Sequence, residues 1–173
     1  MKRPYLFLIA LVFVSSCSRK SEEQLYKEGQ AQEAQNNFQL AVRSYQEIVD
    51  RYVQGKYADS AQFRIGKIYN NDLRDIEKAV ASYQQVYIKF PQSTFAPTAM
   101  FLTGFLMNNE LHKFDSARVL YEAFLQRYPG HDLAVSAKYE LETLGKDPTQ
   151  FLPRDDLAKM SRDSTARKKT AKR

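Results

Sequence analysis

The chain has 173 residues, 26 Lys and Arg against 20 Asp and Glu for a formal net charge of +6, one cysteine and two histidines. Such a length holds one modest domain with extensions, and a single cysteine excludes an internal disulfide framework. The charge is uneven: Arg154 to Arg173 holds eight basic and three acidic residues, whereas 17–153 sums to about −1. A nucleic-acid binder would carry its basic face on the fold itself, so no nucleic-acid partner is expected.

At the start, Met1-Lys2-Arg3 precede ten apolar or aromatic residues from Tyr5 to Val14, and then Ser15-Ser16-Cys17. A membrane-spanning helix needs ~20 apolar residues, about twice this run. A charged start, a short apolar centre and small residues before a boundary describe an export signal. The competing reading is a buried N-terminal helix, but an unbroken apolar run leaves it no amphipathic face. The segment Val14-Ser15-Ser16-Cys17 resembles the lipobox of bacterial lipoproteins. That resemblance implies cleavage before Cys17, a diacylglyceryl group on its sulfur and a palmitate-type acyl chain on the freed amine. Two or three acyl chains hold a protein at a membrane, each buried methylene contributing ~0.8 kcal/mol. Ser18, with no aspartate in its place, implies delivery to the outer membrane under the enterobacterial sorting rule. Residues 1–16 are thus expected to be a signal peptide and 17–22 a lipidated linker.

From 23 to 147 the chain repeats itself at a step of 38. That step links Ala41, Ala79 and Ala117; Tyr45, Tyr83 and Tyr121; Phe38, Ile76 and Phe114; and Ile48, Val86 and Phe124. It also links Ala61, Ala99 and Ala137, and a fourth copy reads Leu25, Phe63, Phe101 and Tyr139. Within a unit the apolar residues recur every three or four positions, as in Phe38-Ala41-Val42-Tyr45-Ile48-Val49-Tyr52, which is one face of a helix. A second helix fills the rest of each unit, as in Ala58-Ala61-Ile65-Ile68-Tyr69. Pro91 and Pro129 end two of the helices, because proline cannot donate the next backbone hydrogen bond. Gly66 and Gly104 let neighbouring backbones approach, and each hairpin buries its apolar face against the next. Leu133 to Leu141 repeats only the first half of a unit and reads as a capping helix, stopped by Gly145 and Lys146-Asp147-Pro148.

These residues resemble the tetratricopeptide repeat. Its pattern of small residue, alanine, aromatic and proline is met by Gly66, Ala79, Tyr83 and Pro91, and by Gly104, Ala117, Tyr121 and Pro129. The first unit departs from it, with Val53 in place of the proline and Gly29 one residue off register. The resemblance implies an all-α, right-handed superhelix of about three hairpins plus a capping helix, with a concave face that binds partner proteins. Carried over by position, the residues lining that face are Ser60, Phe63, Lys67 and Asn70, then Thr98, Phe101, Phe105 and Asn108.

The tail, 148–173, is polar and basic and buries too little apolar surface to offset its ordering entropy. It is expected to be a disordered end, or else an electrostatic arm that contacts anionic lipid or cell wall. Nothing along the chain assembles a catalytic constellation. His112 and His131 have no second ligand at metal spacing, and there is no glycine-rich phosphate loop. No enzyme activity, cofactor or metal is expected.

A lipobox followed by such repeats is similar to the BamD-type lipoproteins of outer-membrane protein assembly. Ala79-Val80-Ala81-Ser82-Tyr83 and Gln126-Arg127-Tyr128-Pro129-Gly130-His131 carry that likeness. It implies a lipid-anchored scaffold on the periplasmic side of the outer membrane, with outer-membrane assembly subunits as partners. The alternative is an envelope adaptor that tethers the cell wall, similar to Tol-Pal-associated repeat proteins.

Overall fold

The structure is a computed structural model and describes residues 19–146. The expected signal peptide, Cys17 and the basic tail lie outside the described residues. Seven helices and no strand occur among the described residues: α1 (Glu22–Ala34), α2 (Phe38–Arg51), α3 (Ala58–Asn71), α4 (Ile76–Lys89), α5 (Ala96–Asn109), α6 (Phe114–Arg127) and α7 (Ala134–Thr143). The main packing runs between consecutive helices, from α1 on α2 through to α6 on α7. This is the expected stack of helical hairpins with a capping helix.

Local chemistry sets the ends. Ser21 caps α1: its hydroxyl accepts from the Gln24 N–H at 3.2 Å, and the Gln24 side chain accepts from the Ser21 N–H at 2.8 Å. The helix therefore starts inside the stretch read as linker. Helices α4 and α6 stop at Phe90 and Tyr128, each followed by proline. Arg51, Lys89 and Arg127 occupy the last turns of α2, α4 and α6, where the helix dipole favours positive charge.

The core repeats as the sequence does. Tyr45, Tyr83 and Tyr121 are almost wholly buried, each lying under a glycine of the preceding helix. A methyl group on Gly29 would sit 2.5 Å from the Tyr45 ring, one on Gly66 2.7 Å from Tyr83, and one on Gly104 3.0 Å from Tyr121. Glycine is required at these points because only a bare backbone lets the ring so close.

One expected correspondence is corrected. Leu25 does not match Phe63 and Phe101; Tyr26 does. Tyr26 stacks on Tyr57 with centroids 4.5 Å apart, as Phe63 stacks on Phe95 at 5.0 Å. The cause is the α1–α2 loop, residues 35–37, which is one residue shorter than 72–75 and 110–113. Every α1 position thereby falls one residue later than the 38-step, which also accounts for Gly29.

Among the described residues, α7 is the last helix of the stack. Ala137 and Leu144 are buried in the cluster that holds Tyr121 and Phe124. Yet the 38-step puts Glu142 where Gly66 and Gly104 stand, and Lys138 where Gln62 and Met100 are buried. A glutamate in the glycine position blocks the approach of another tyrosine-bearing helix, and a charged outer face suits the last element of a solenoid. The helix then stops at Leu144, with Gly145 at φ +70°.

Candidate tetratricopeptide partner-binding face

The first helices of the hairpins, α1, α3, α5 and α7, share one face, and side chains link them across it. Arg64 on α3 reaches Glu33 on α1, with Nη1 and Oε2 2.5 Å apart. Its Nε donates to the Tyr26 hydroxyl at 3.1 Å, and the Tyr45 hydroxyl donates to Glu33 at 3.2 Å. Burial, and then the Glu33 carboxylate, push the Tyr45 phenol well above its ordinary range. Two hairpins on, Asn108 of α5 donates to Glu140 of α7 at 3.1 Å. Burial, and then Glu140, push Tyr121 up in the same way. Between α1 and α3 the face holds a depression of about 480 Å³, whose lining includes Gln30, Glu33, Arg64, Lys67 and Asn71.

The loops between hairpins are tied from a distance. The Glu22 carboxylate accepts from the Tyr57 N–H at 2.6 Å and the Lys56 N–H at 3.1 Å. A side chain on Gly55 would collide with that carboxylate. In the next loop Ser93 accepts from the Phe95 N–H at 3.1 Å and donates to Asp59 at 2.6 Å. In the third, His131 Nδ1 accepts from the Leu133 N–H at 3.1 Å. His131 thus fastens the loop just before α7, and exposed His112 sits in a hairpin turn. Among the described residues no cluster of His, Cys, Asp or Glu could hold a metal ion, and no helix is long and apolar enough to cross a membrane.

The family model of the tetratricopeptide repeat matches residues 25–54, 60–93 and 98–131, together over half of the chain. The chain belongs to the tetratricopeptide-repeat family. No curated protein sequence matches it. Tetratricopeptide repeats generally mediate binding to other proteins and are generally non-enzymatic scaffolds.

The eight positions carried over from the family fall into three groups. Phe101 and Asn108 are interior: Phe101 is 9% exposed against Tyr121 and Phe124, and Asn108 is 8% exposed. The reason is the capping helix, which covers the face of α5 that the repeat pattern alone leaves open. Ser60, Phe63, Asn70 and Thr98 are half-buried. Ser60 donates to the Tyr57 carbonyl, and Phe63 is held between Phe95 and Tyr83. Only Lys67 and Phe105 stand exposed. Sequence reasoning missed Glu33, Arg64 and Glu22. Glu33 and Arg64 pair across 31 residues, and Glu22 reaches two loop amides 34 and 35 residues on, separations that no local pattern in the sequence marks.

Proposed function

We propose that this tetratricopeptide-repeat scaffold is a lipoprotein held by Cys17 at the periplasmic side of the outer membrane, where it binds subunits that assemble β-barrel proteins. The observation that carries this reading is the lone cysteine after Val14-Ser15-Ser16, behind a charged start and a short apolar run. A lipid anchor puts an interaction scaffold on a surface, and two or more acyl chains make that attachment stable. The repeats supply a peptide-binding face and no reactive constellation, as an assembly factor needs.

The test is affinity capture of the full chain from solubilised envelopes, alongside labelling with a palmitate analogue and a Cys17→Ala control. Label on the wild type alone, with recovery of a barrel-assembly protein, supports the reading. Label on both forms would reject Cys17 as the acylated residue. Recovery of only cell-wall or division proteins would replace the assembly role with the Tol-Pal-like alternative. That second reading draws on the basic tail from Arg154 to Arg173, which suits anionic lipid or cell wall.

A further inference from the structure

In the earlier hairpins, Phe63 of α3 lies against Tyr83 of the following helix, and Phe101 of α5 against Tyr121 and Phe124. One 38-residue step on, Tyr139 holds that place on α7, yet it is 58% exposed where Phe101 is 9%. Val135, Lys138 and Glu142 stand exposed on the same stripe of the helix, three and four residues apart. We propose that the occupant of this face is the chain's own residues 152–162, folded back in the register of one more second helix, with Lys159 and Arg162 set against Tyr139 and Glu142. The inference stands apart from the Cys17 anchor and from the choice of partner.

The repeat itself supplies the pairing. The 38-step carries Gly66 and Gly104 to Glu142, Tyr83 and Tyr121 to Lys159, and Phe124 to Arg162. In the earlier hairpins a tyrosine ring lies on a bare glycine, and a phenylalanine lies against that ring. In the next, both members of the first pair change together: the glycine becomes an anion, and the ring that would collide with it becomes a cation. A lysine following the path of Tyr121 brings its ammonium to the Glu142 carboxylate, and a cation over Tyr139 is drawn to the electron-rich face of the ring. Leu152 falls where Ile76 and Phe114 open their helices, and Pro153 in the first turn, which tolerates it. Asp155 falls where Ala79 and Ala117 are buried, so the segment makes a charged cover and not another core-forming helix. The connection is long enough. Helix α7 stops at Thr143, four residues before the place where α3 and α5 end. Residues 144–151 can span about 26 Å, against ~6 Å of missing helix and ~8–10 Å between packed axes. A second copy is the poorer occupant, because a helix of 10 residues offers a stripe only ~15 Å long. That falls well short of the ~800 Å² per partner of a stable interface. A tethered segment needs less, since its effective concentration is of the order of millimolar.

The experiment follows amide hydrogen exchange of α7 in the full chain. Lys159→Glu and Glu142→Lys should each speed exchange of the α7 amides by roughly two- to fivefold, the size of one exposed ion pair. Combining the two reverses both charges and should bring the rate back toward wild type, which a purely local effect of either side chain does not do. Lys168→Glu, beyond the docked segment, should leave α7 as it is. Exchange that Lys159→Glu does not alter, or a double variant in which the two effects simply add, would overturn the docking. An equal response to Lys168→Glu would also overturn it, since net charge alone would then hold the tail. Protection of α7 that grows with protein concentration would put a second copy on the face and remove residues 152–162 as its occupant.

Discussion

Gly66 and Gly104 occupy the same place in successive repeats, yet they leave different room for a methyl group. At Gly66 it would sit 2.7 Å from two Tyr83 ring atoms, and at Gly104 3.0 Å from its nearest Tyr121 atom. Gly→Ala in a helix ordinarily gains up to ~1 kcal/mol, but overpacking a rigid, buried ring costs ~1–3 kcal/mol. Gly66→Ala should therefore lower stability, and by more than Gly104→Ala; urea melts of the two variants give the order directly. Glu22 makes a second prediction at this scale. Its carboxylate is the acceptor for two loop N–H groups, and hydrogen bonds to a charged group contribute ~1.5–3 kcal/mol. Glu22→Ala should cost about that much, and the Lys56 and Tyr57 amides should exchange with solvent faster than their neighbours. Undiminished protection of both would show that water replaces the cap without loss. The glycines were legible in the sequence because all three units need the same ring in the same place. Glu22 was not, since only the first unit has Gly55 in its loop, and the remedy lies 33 residues earlier.

The helices and their order could be read from periodicity, because a stack of near-identical hairpins puts the same demand on each copy. The register of α1 could not. A loop shorter by one residue moves the helix along the chain while its contacts keep their places, so Tyr26 takes the role that counting assigns to Leu25. All three hairpin turns nevertheless share one device, a non-glycine residue at positive φ: Asn36 at 60°, Arg74 at 55° and His112 at 52°. Left-handed backbone costs an L-residue ~1–2 kcal/mol, and asparagine is among the few that tolerate it. Arg74→Gly relieves that cost and gives back part of it as unfolded-chain entropy. A net gain of ~0.5 kcal/mol is expected, with Arg74→Val a loss of ~1 kcal/mol or more because β-branched residues resist this region. Asn36→Gly should change little. Thermal melts followed by helix circular dichroism would show the order Gly above Arg above Val at position 74. A melting point that Arg74→Val leaves unmoved would mean the turn can relax to negative φ without disturbing the hairpin.

The three buried tyrosines bind the whole molecule into one pH response. Tyr45, Tyr83 and Tyr121 each belong to a different hairpin, and burial pushes each phenol up, Tyr83 to about 12. An unfolded tyrosine ionises near pH 10. Below that value both states hold the phenol proton and the burial contributes its full stability. Above it the unfolded chain loses protons that the folded chain keeps, so stability falls as pH rises from about 10 through the folded values. Each such group removes at most ~1.4 kcal/mol per pH unit, or ~4 kcal/mol for the three together. Native domains are stable by only ~5–15 kcal/mol, so the stack should unfold between pH 10 and 12. Because each hairpin is held only by its neighbours, ionising one tyrosine removes support from the next, and the transition should be steep. Tyrosinate absorbance and helix circular dichroism should then move together, the buried phenols ionising as the helices melt. Tyr83→Phe removes one proton from the linkage and should shift the midpoint to higher pH. If absorbance rises smoothly while helix content holds to pH 12, the phenols reach solvent without unfolding, and the tyrosine ladder is not what closes the core against base.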